Sequence, residues 1–109
     1  MTELPIVRTF TDSYGVEITF YEWPVASPRG VVQVAHGLGE HARRYDEFAA
    51  RLNRAGFSVY ADDHRGHGTT GQEQVASRQT KVLGNLGPGG MDAAYEQVHE
   101  FTKLIAAEN

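Results

Sequence analysis

The sequence contains no cysteine, only one tryptophan and only four prolines among its 109 residues. Without cysteine, a disulfide framework, a thiolate metal site and a cysteine nucleophile are all excluded. Long apolar runs are missing as well. No stretch approaches the roughly 18 apolar residues of a membrane-spanning helix, and the opening Met-Thr-Glu-Leu-Pro has no basic segment leading into an apolar one. That pattern leaves the cytoplasm as the default location. Clustered positive charge is equally scarce: the formal net charge is -4, and Arg43-Arg44 is the nearest approach to a basic patch. Nucleic acid is therefore not an expected partner, since neutralising its phosphates takes many clustered cations. What is present is 40% hydrophobic and 10% aromatic residues, ordinary for one small domain that buries a core.

Two short alternating segments, Ile6 to Thr11 and Val16 to Trp23, flank Asp12-Ser13-Tyr14-Gly15, a turn whose glycine suits positive φ. A β-hairpin is predicted. In its second arm Val16, Ile18 and Phe20 alternate with Glu17, Thr19 and Tyr21, the pattern of a half-solvated antiparallel strand. Val31 to Ala35 is nearly all apolar, which predicts a parallel strand covered on both faces. Tyr45, Phe48, Ala49 and Leu52 then recur at helical spacing, and Arg54 followed by Gly56 supplies a stop signal. Phe57 to Ala61 is the next strand, so strand, helix and strand form a crossover with the two strands parallel. The stretch from Asp62 to Gly90 lacks a period and is predicted to be mostly loop, with one turn near Gln72 to Ser77. From Met91 a helical stripe of Ala94, Tyr95, Val98, Phe101 and Ile105 runs to about Glu108. Both stripes are expected to face a core.

The segment with the most chemistry in it is His36-Gly37-Leu38-Gly39-Glu40-His41, which puts two glycines at the carboxyl end of a buried strand, just ahead of a helix. Open α/β sheets bind their ligands at that end. Glycines expose amide N–H groups, which can cradle a phosphate or stabilise a developing oxyanion. Spacing alone leaves both open.

His36 to His41 resembles the His-Gly-x-Gly-Glu-His loop of monoacylglycerol lipase and lysophospholipase-like α/β-hydrolases. Asp63-His64-Arg65-Gly66-His67-Gly68 resembles their Asp-x-x-Gly-His-Gly loop after the following strand. The similarity runs from about Val16 to Glu108. It implies that residues 1–109 are the N-terminal part of a single α/β-hydrolase domain: a hairpin, a β-α-β unit on a parallel core sheet, then a helix. It also implies that the amide of Leu38 is one donor of the oxyanion hole, within a loop shaped by His36, Gly37, Gly39, Glu40 and His41. Asp63, Arg65, Gly66, His67 and Gly68 would form a structural loop beside it. No cofactor is implied. The nucleophile of such enzymes sits in a Gly-x-Ser-x-Gly elbow, and none of the four serines, Ser13, Ser27, Ser58 and Ser77, has that setting. The resemblance therefore places nucleophile, acid, histidine and lid in a C-terminal remainder, which would be this chain's partner. It would also cover the strand Val31 to Ala35, whose outer edge the family's strand order leaves open. Carboxylic esters such as monoacylglycerols are the implied substrates.

Two rival readings accompany this one. Gly37 to Ala42 also fits Gly-x-Gly-x-x-Ala, a dinucleotide fingerprint, with Asp62 placed to hold a ribose. His36, His41, His64 and His67 can be drawn as metal ligands, although the plainer expectation is that His36 and His67 bond neighbouring backbone and fix the loops. A further possibility is a fragment with no catalytic part at all. Asp63 and Arg65 are expected to pair, and Glu40 either to support the N-terminus of the first helix through its dipole or to shape a glycerol-sized polar pocket.

Overall fold

The computed structural model describes residues 4–109. Four strands make one mixed sheet: β1 (Ile6–Thr11), β2 (Glu17–Trp23), β3 (Gly30–Val34) and β4 (Phe57–Asp62), in the spatial order β1-β2-β4-β3. The hairpin turn forms because the Asp12 carboxylate accepts the amides of Tyr14 and Val16 at 2.9 and 3.0 Å, and Gly15 takes a φ of 82°. β2 pairs antiparallel with both β1 and β4, whereas β3 and β4 are parallel, with Val32 opposite Val59.

Helices cover both faces. A 3₁₀ turn (Ala42–Tyr45) runs into α1 (Asp46–Arg54), which packs Ala49 against Tyr21, Trp23, Val34 and Val59. On the opposite face α3 (Gly90–Glu108) lays Phe101 and Ile105 on Phe20 and Tyr60, with the Phe20 and Phe101 rings 5.1 Å apart. Each large aromatic buried this way contributes about 3–5 kcal/mol against truncation to alanine.

Four expectations need correction. β2 is not half-solvated: Thr19 and Tyr21 are as buried as Ile18 and Phe20, because helices sit on both sides of this central strand. β3, expected to be covered on both faces, is only half-buried over Gly30 to Gln33. It lies at the end of the strand order, with β4 as its only neighbour in the sheet among the described residues. The expected stripe of α1 includes Phe48, which is half exposed, and that of α3 includes Tyr95, 71% exposed. The buried face of α3 keeps Phe101 and Ile105 of the expected stripe, while Ala93 and Gln97 are buried in place of Ala94 and Val98.

The fourth correction is α2 (Gly68–Ala76), a helix within the predicted loop. Glycine and threonine give this segment little propensity, and tertiary bonds make up for it. Thr70 Oγ1 accepts the Thr19 amide at 2.9 Å, while Gln74 accepts the Gly66 amide at 2.7 Å and donates to the Leu86 carbonyl at 3.0 Å. Among the described residues no helix is long and apolar enough to cross a membrane.

Candidate functional site

β3 and β4 are parallel neighbours, so the loops that leave their carboxyl ends, residues 35–41 and 63–67, meet at one edge of the sheet. In the first loop Gly39 takes a φ of 77° and the Glu40 amide closes a turn onto the Gly37 carbonyl at 3.1 Å. The amide of Gly37 donates to Glu40 Oε1 at 2.7 Å, and the amide of Gly39 donates to His67 Nε2 at 3.0 Å. Between them, the Leu38 amide has no protein acceptor among the described residues. The Leu38 side chain is 94% exposed, so what this residue offers is its backbone. A cleft of about 350 Å³ lies alongside. His36, Leu38, His64 and His67 form one wall, and Leu86, Met91, Tyr95 and Val98 the other.

Buried carboxylates hold the loops in place. Asp63 accepts the Ala42 amide at 2.8 Å, the Thr69 amide at 2.9 Å and the Tyr21 hydroxyl at 3.0 Å, tying the starts of two helices to the sheet. Burial, reinforced by the Asp63 charge, raises the Tyr21 pKa, so this phenol stays a donor. Gly68 is needed where it stands: its φ is 52° and a Cβ there would lie 2.4 Å from the Asp63 carboxyl carbon. The expected Asp63–Arg65 pair does not form, since Asp63 is taken up by these donors. Arg65 turns instead to Asp12 of the hairpin, its Nε donating to Oδ2 at 2.9 Å with both side chains fully buried. Nη2 is equally close to that oxygen without hydrogen-bond alignment, so it adds charge contact only. Nη1 donates to the carbonyls of Leu86 and Pro88.

The histidines divide by environment. His36 Nδ1 bonds the Gly37 carbonyl and its Nε2 accepts the His64 amide, each at 2.9 Å. His67 Nδ1 bonds the Arg65 carbonyl at 2.9 Å. Burial lowers the His36 pKa, with the neighbouring His64 and His67 adding to the effect. For His64 burial opposes the charged form, but the Asp62 carboxylate 2.8 Å from Nδ1 outweighs it and raises the pKa. Glu40 is held below its ordinary pKa by the Gly37 amide, then by the Tyr45 hydroxyl and Arg44. Its contacts are thus mainly with its own turn. His41 is exposed, precedes the 3₁₀ turn without a side-chain cap bond, and stands apart from the cleft.

A family profile described as "Serine aminopeptidase, S33" matches residues 26–106, from just before β3 to near the end of α3. The chain belongs to the S33 serine aminopeptidase family. Among relatives, the monoacylglycerol lipase of Mycolicibacterium smegmatis is 49% identical over 72 residues, 65% of this chain and 26% of that protein. Rat monoglyceride lipase is 45% identical over 63 residues, 58% of this chain and 21% of that protein. The chain thus spans about a quarter of the length of these relatives. Among solved structures, a thermostable carboxyl esterase from Bacillus coagulans, in complex with glycerol, is 34% identical with a TM-score of 0.79. That match covers 98% of this chain and 33% of that one. The S33 chain is therefore the N-terminal portion of an α/β-hydrolase fold, similar to monoglyceride lipases.

Membership removes the dinucleotide reading of the Gly37–Ala42 segment, and the geometry gives the reason. Asp62, cast as the ribose ligand, is fully buried and accepts from Gln97 Nε2 at 2.8 Å as well as holding His64. The metal reading fails because both ring nitrogens of His36 and of His67 are committed to backbone groups. Among the described residues no group of three or more ligand side chains is placed to hold an ion.

Of the sequence-predicted residues, the S33 structure gathers His36, Gly37, Leu38, Arg65 and His67 around the cleft, with Gly39 and Gly66 in an adjoining hollow. Glu40 and Asp63 act from behind; Gly68 opens α2. Sequence reasoning missed Asp12, Tyr21 and Gln97. Gln97 alone carried a signal, a polar residue four places from both Ala93 and Phe101 on the buried face.

Proposed function

We propose that this chain is the oxyanion-binding portion of a serine ester hydrolase acting on monoacylglycerols or similar carboxylic esters. The reading rests on one observation: a backbone N–H without a protein acceptor, at Leu38, flanked by two amides that are engaged, at the carboxyl end of β3 beside the cleft. Negative charge that builds on an ester carbonyl is stabilised by such a fixed donor, and removing one donor of this kind typically costs about 10²–10³ in turnover. The largely apolar wall of Leu86, Met91 and Val98 suits an acyl chain.

A serine hydroxyl attacks the carbonyl, its proton passing to a histidine. The tetrahedral oxyanion is held partly by the Leu38 amide, the alcohol leaves with that proton, and water releases the acyl group. The serine, histidine and acid come from outside these 109 residues, in a C-terminal remainder that completes the sheet beyond β3.

Labelling the full-length protein with a fluorophosphonate, alongside a monoacylglycerol hydrolysis assay, tests the reading. Hydrolysis with label on a serine beyond Asn109 is expected. Label on Ser13, Ser27, Ser58 or Ser77, or no hydrolysis of any ester, would overturn it.

A further inference from the structure

The loops after β3 and β4 are joined by two hydrogen bonds of the same kind running in opposite directions. His36, in the first loop, accepts the His64 amide of the second at its Nε2, 2.9 Å away. His67, in the second, accepts the Gly39 amide of the first at its Nε2, 3.0 Å away. Each partner lies 28 residues along the chain. In both rings Nδ1 faces a carbonyl, that of Gly37 or of Arg65, at 2.9 Å. A carbonyl accepts and an amide donates, so both rings must be neutral and carry their proton on Nδ1. The two rings lie 5.1 Å apart, and the His64 ring lies 4.0 Å from His36, tilted by 33°.

We propose that His36 and His67 are positioning residues, a reciprocal pair of neutral imidazoles that fixes the direction of the Leu38 amide. The Leu38 N–H shares a peptide plane with the Gly37 carbonyl, the next plane carries the Gly39 amide, and the pair restrains both. The Gly37 carbonyl is bound by His36 and the Gly39 amide by His67. Two successive peptide planes on either side of Leu38 are thereby fixed, and a fixed N–H direction is what an oxyanion donor needs, because its dipole must be aimed before charge develops. Burial of His36 favours its neutral form, against which the facing Asp62 pulls; the facing His64 and His67 act with burial. The inference rests on the proposed oxyanion role only for its catalytic consequence.

The experiment compares the full-length protein with His67→Phe, which fills the space but accepts nothing, and His67→Gln, whose Oε1 can reach where Nε2 stood. Imidazole ¹⁵N spectra should show Nδ1-protonated rings for both His36 and His67. Exchange of the Gly39 amide should speed up about tenfold in His67→Phe, the loss of one hydrogen bond, and return to within about threefold in His67→Gln. With an ester substrate, kcat should fall about 10- to 100-fold in His67→Phe with KM nearly constant, as for a donor misaimed by a fraction of an ångström. The glutamine variant should recover most of it. An Nε2-protonated His67, or Gly39 exchange unchanged in His67→Phe, would overturn the pair itself. Altered exchange with an unchanged kcat in an active enzyme would overturn its positioning role. If no ester is hydrolysed, the oxyanion reading fails, while spectra and exchange still decide whether the pair exists.

Discussion

Replacing Arg65 by methionine tests how the second loop is held. The guanidinium is fully buried, pairs with a fully buried Asp12, donates to the carbonyls of Leu86 and Pro88, and lies 5.4 Å from the Tyr14 ring. Methionine fills much of the volume but leaves a carboxylate and two carbonyls without their cation. Breaking a buried pair from one side typically costs about 3–5 kcal/mol. Asp12 keeps the Tyr14 and Val16 amides on its other oxygen, which places the expected loss near the lower end, about 3–4 kcal/mol. With a urea slope of about 2 kcal/mol/M, the unfolding midpoint of the full-length protein should drop by about 1.5–2 M. Adding Asp12→Asn to Arg65→Met should cost far less than the sum of the single changes, since the carboxylate left uncompensated is then gone. A loss below about 1 kcal/mol for Arg65→Met, or strict additivity in the cycle, would refute the reasoning.

Gly68→Ala should destabilise by about 2–3 kcal/mol, through left-handed strain and a Cβ against the Asp63 carboxyl, read as a fall in melting temperature. Asp62→Asn probes the raised pKa of His64. A folded pKa above the unfolded value gives stability that is full below the unfolded pKa of about 6.5 and is lost as pH rises through the folded value. The stability gap between wild type and Asp62→Asn, followed by urea unfolding from acid to mildly alkaline pH, should therefore be widest on the acid side and narrow upward. Glu40→Ala frees the Gly37 amide and the Tyr45 hydroxyl, and ester turnover should fall about 10- to 100-fold with the fold intact by circular dichroism.

The glycine-rich loop and the hairpin were legible from the chain because each depends on local chemistry, whereas the spatial order of the strands was implied only by the family resemblance. Gly15 and the Asp12 side chain make the hairpin turn within a few residues, and β2, α1 and α3 themselves were marked by neighbours in sequence, although which of their residues are buried was not. The candidate site was suggested by the resemblance of His36–His41 and Asp63–Gly68 to known hydrolase loops, and the parallel pairing of β3 with β4 brings those two loops together. Helix α2 was not legible, because Thr70 and Gln74 bond groups in β2 and in the loops around it rather than one another.

Pairing of charges likewise waited for the tertiary structure. Asp63 and Arg65 are two residues apart, and proximity in sequence suggested a bond that the fold denies them. Their partners, three amide and hydroxyl donors for one and Asp12 for the other, arrive from distant segments brought together only when the sheet closes. The histidines illustrate the division. Sequence named His36 and His67 as loop-fixing residues, but the direction of their bonds, and hence which nitrogen bears the proton, follows from two loops meeting in space. Local propensity is written in adjacent residues; the partner of a buried polar group is decided by whichever donor the packed chain delivers to it.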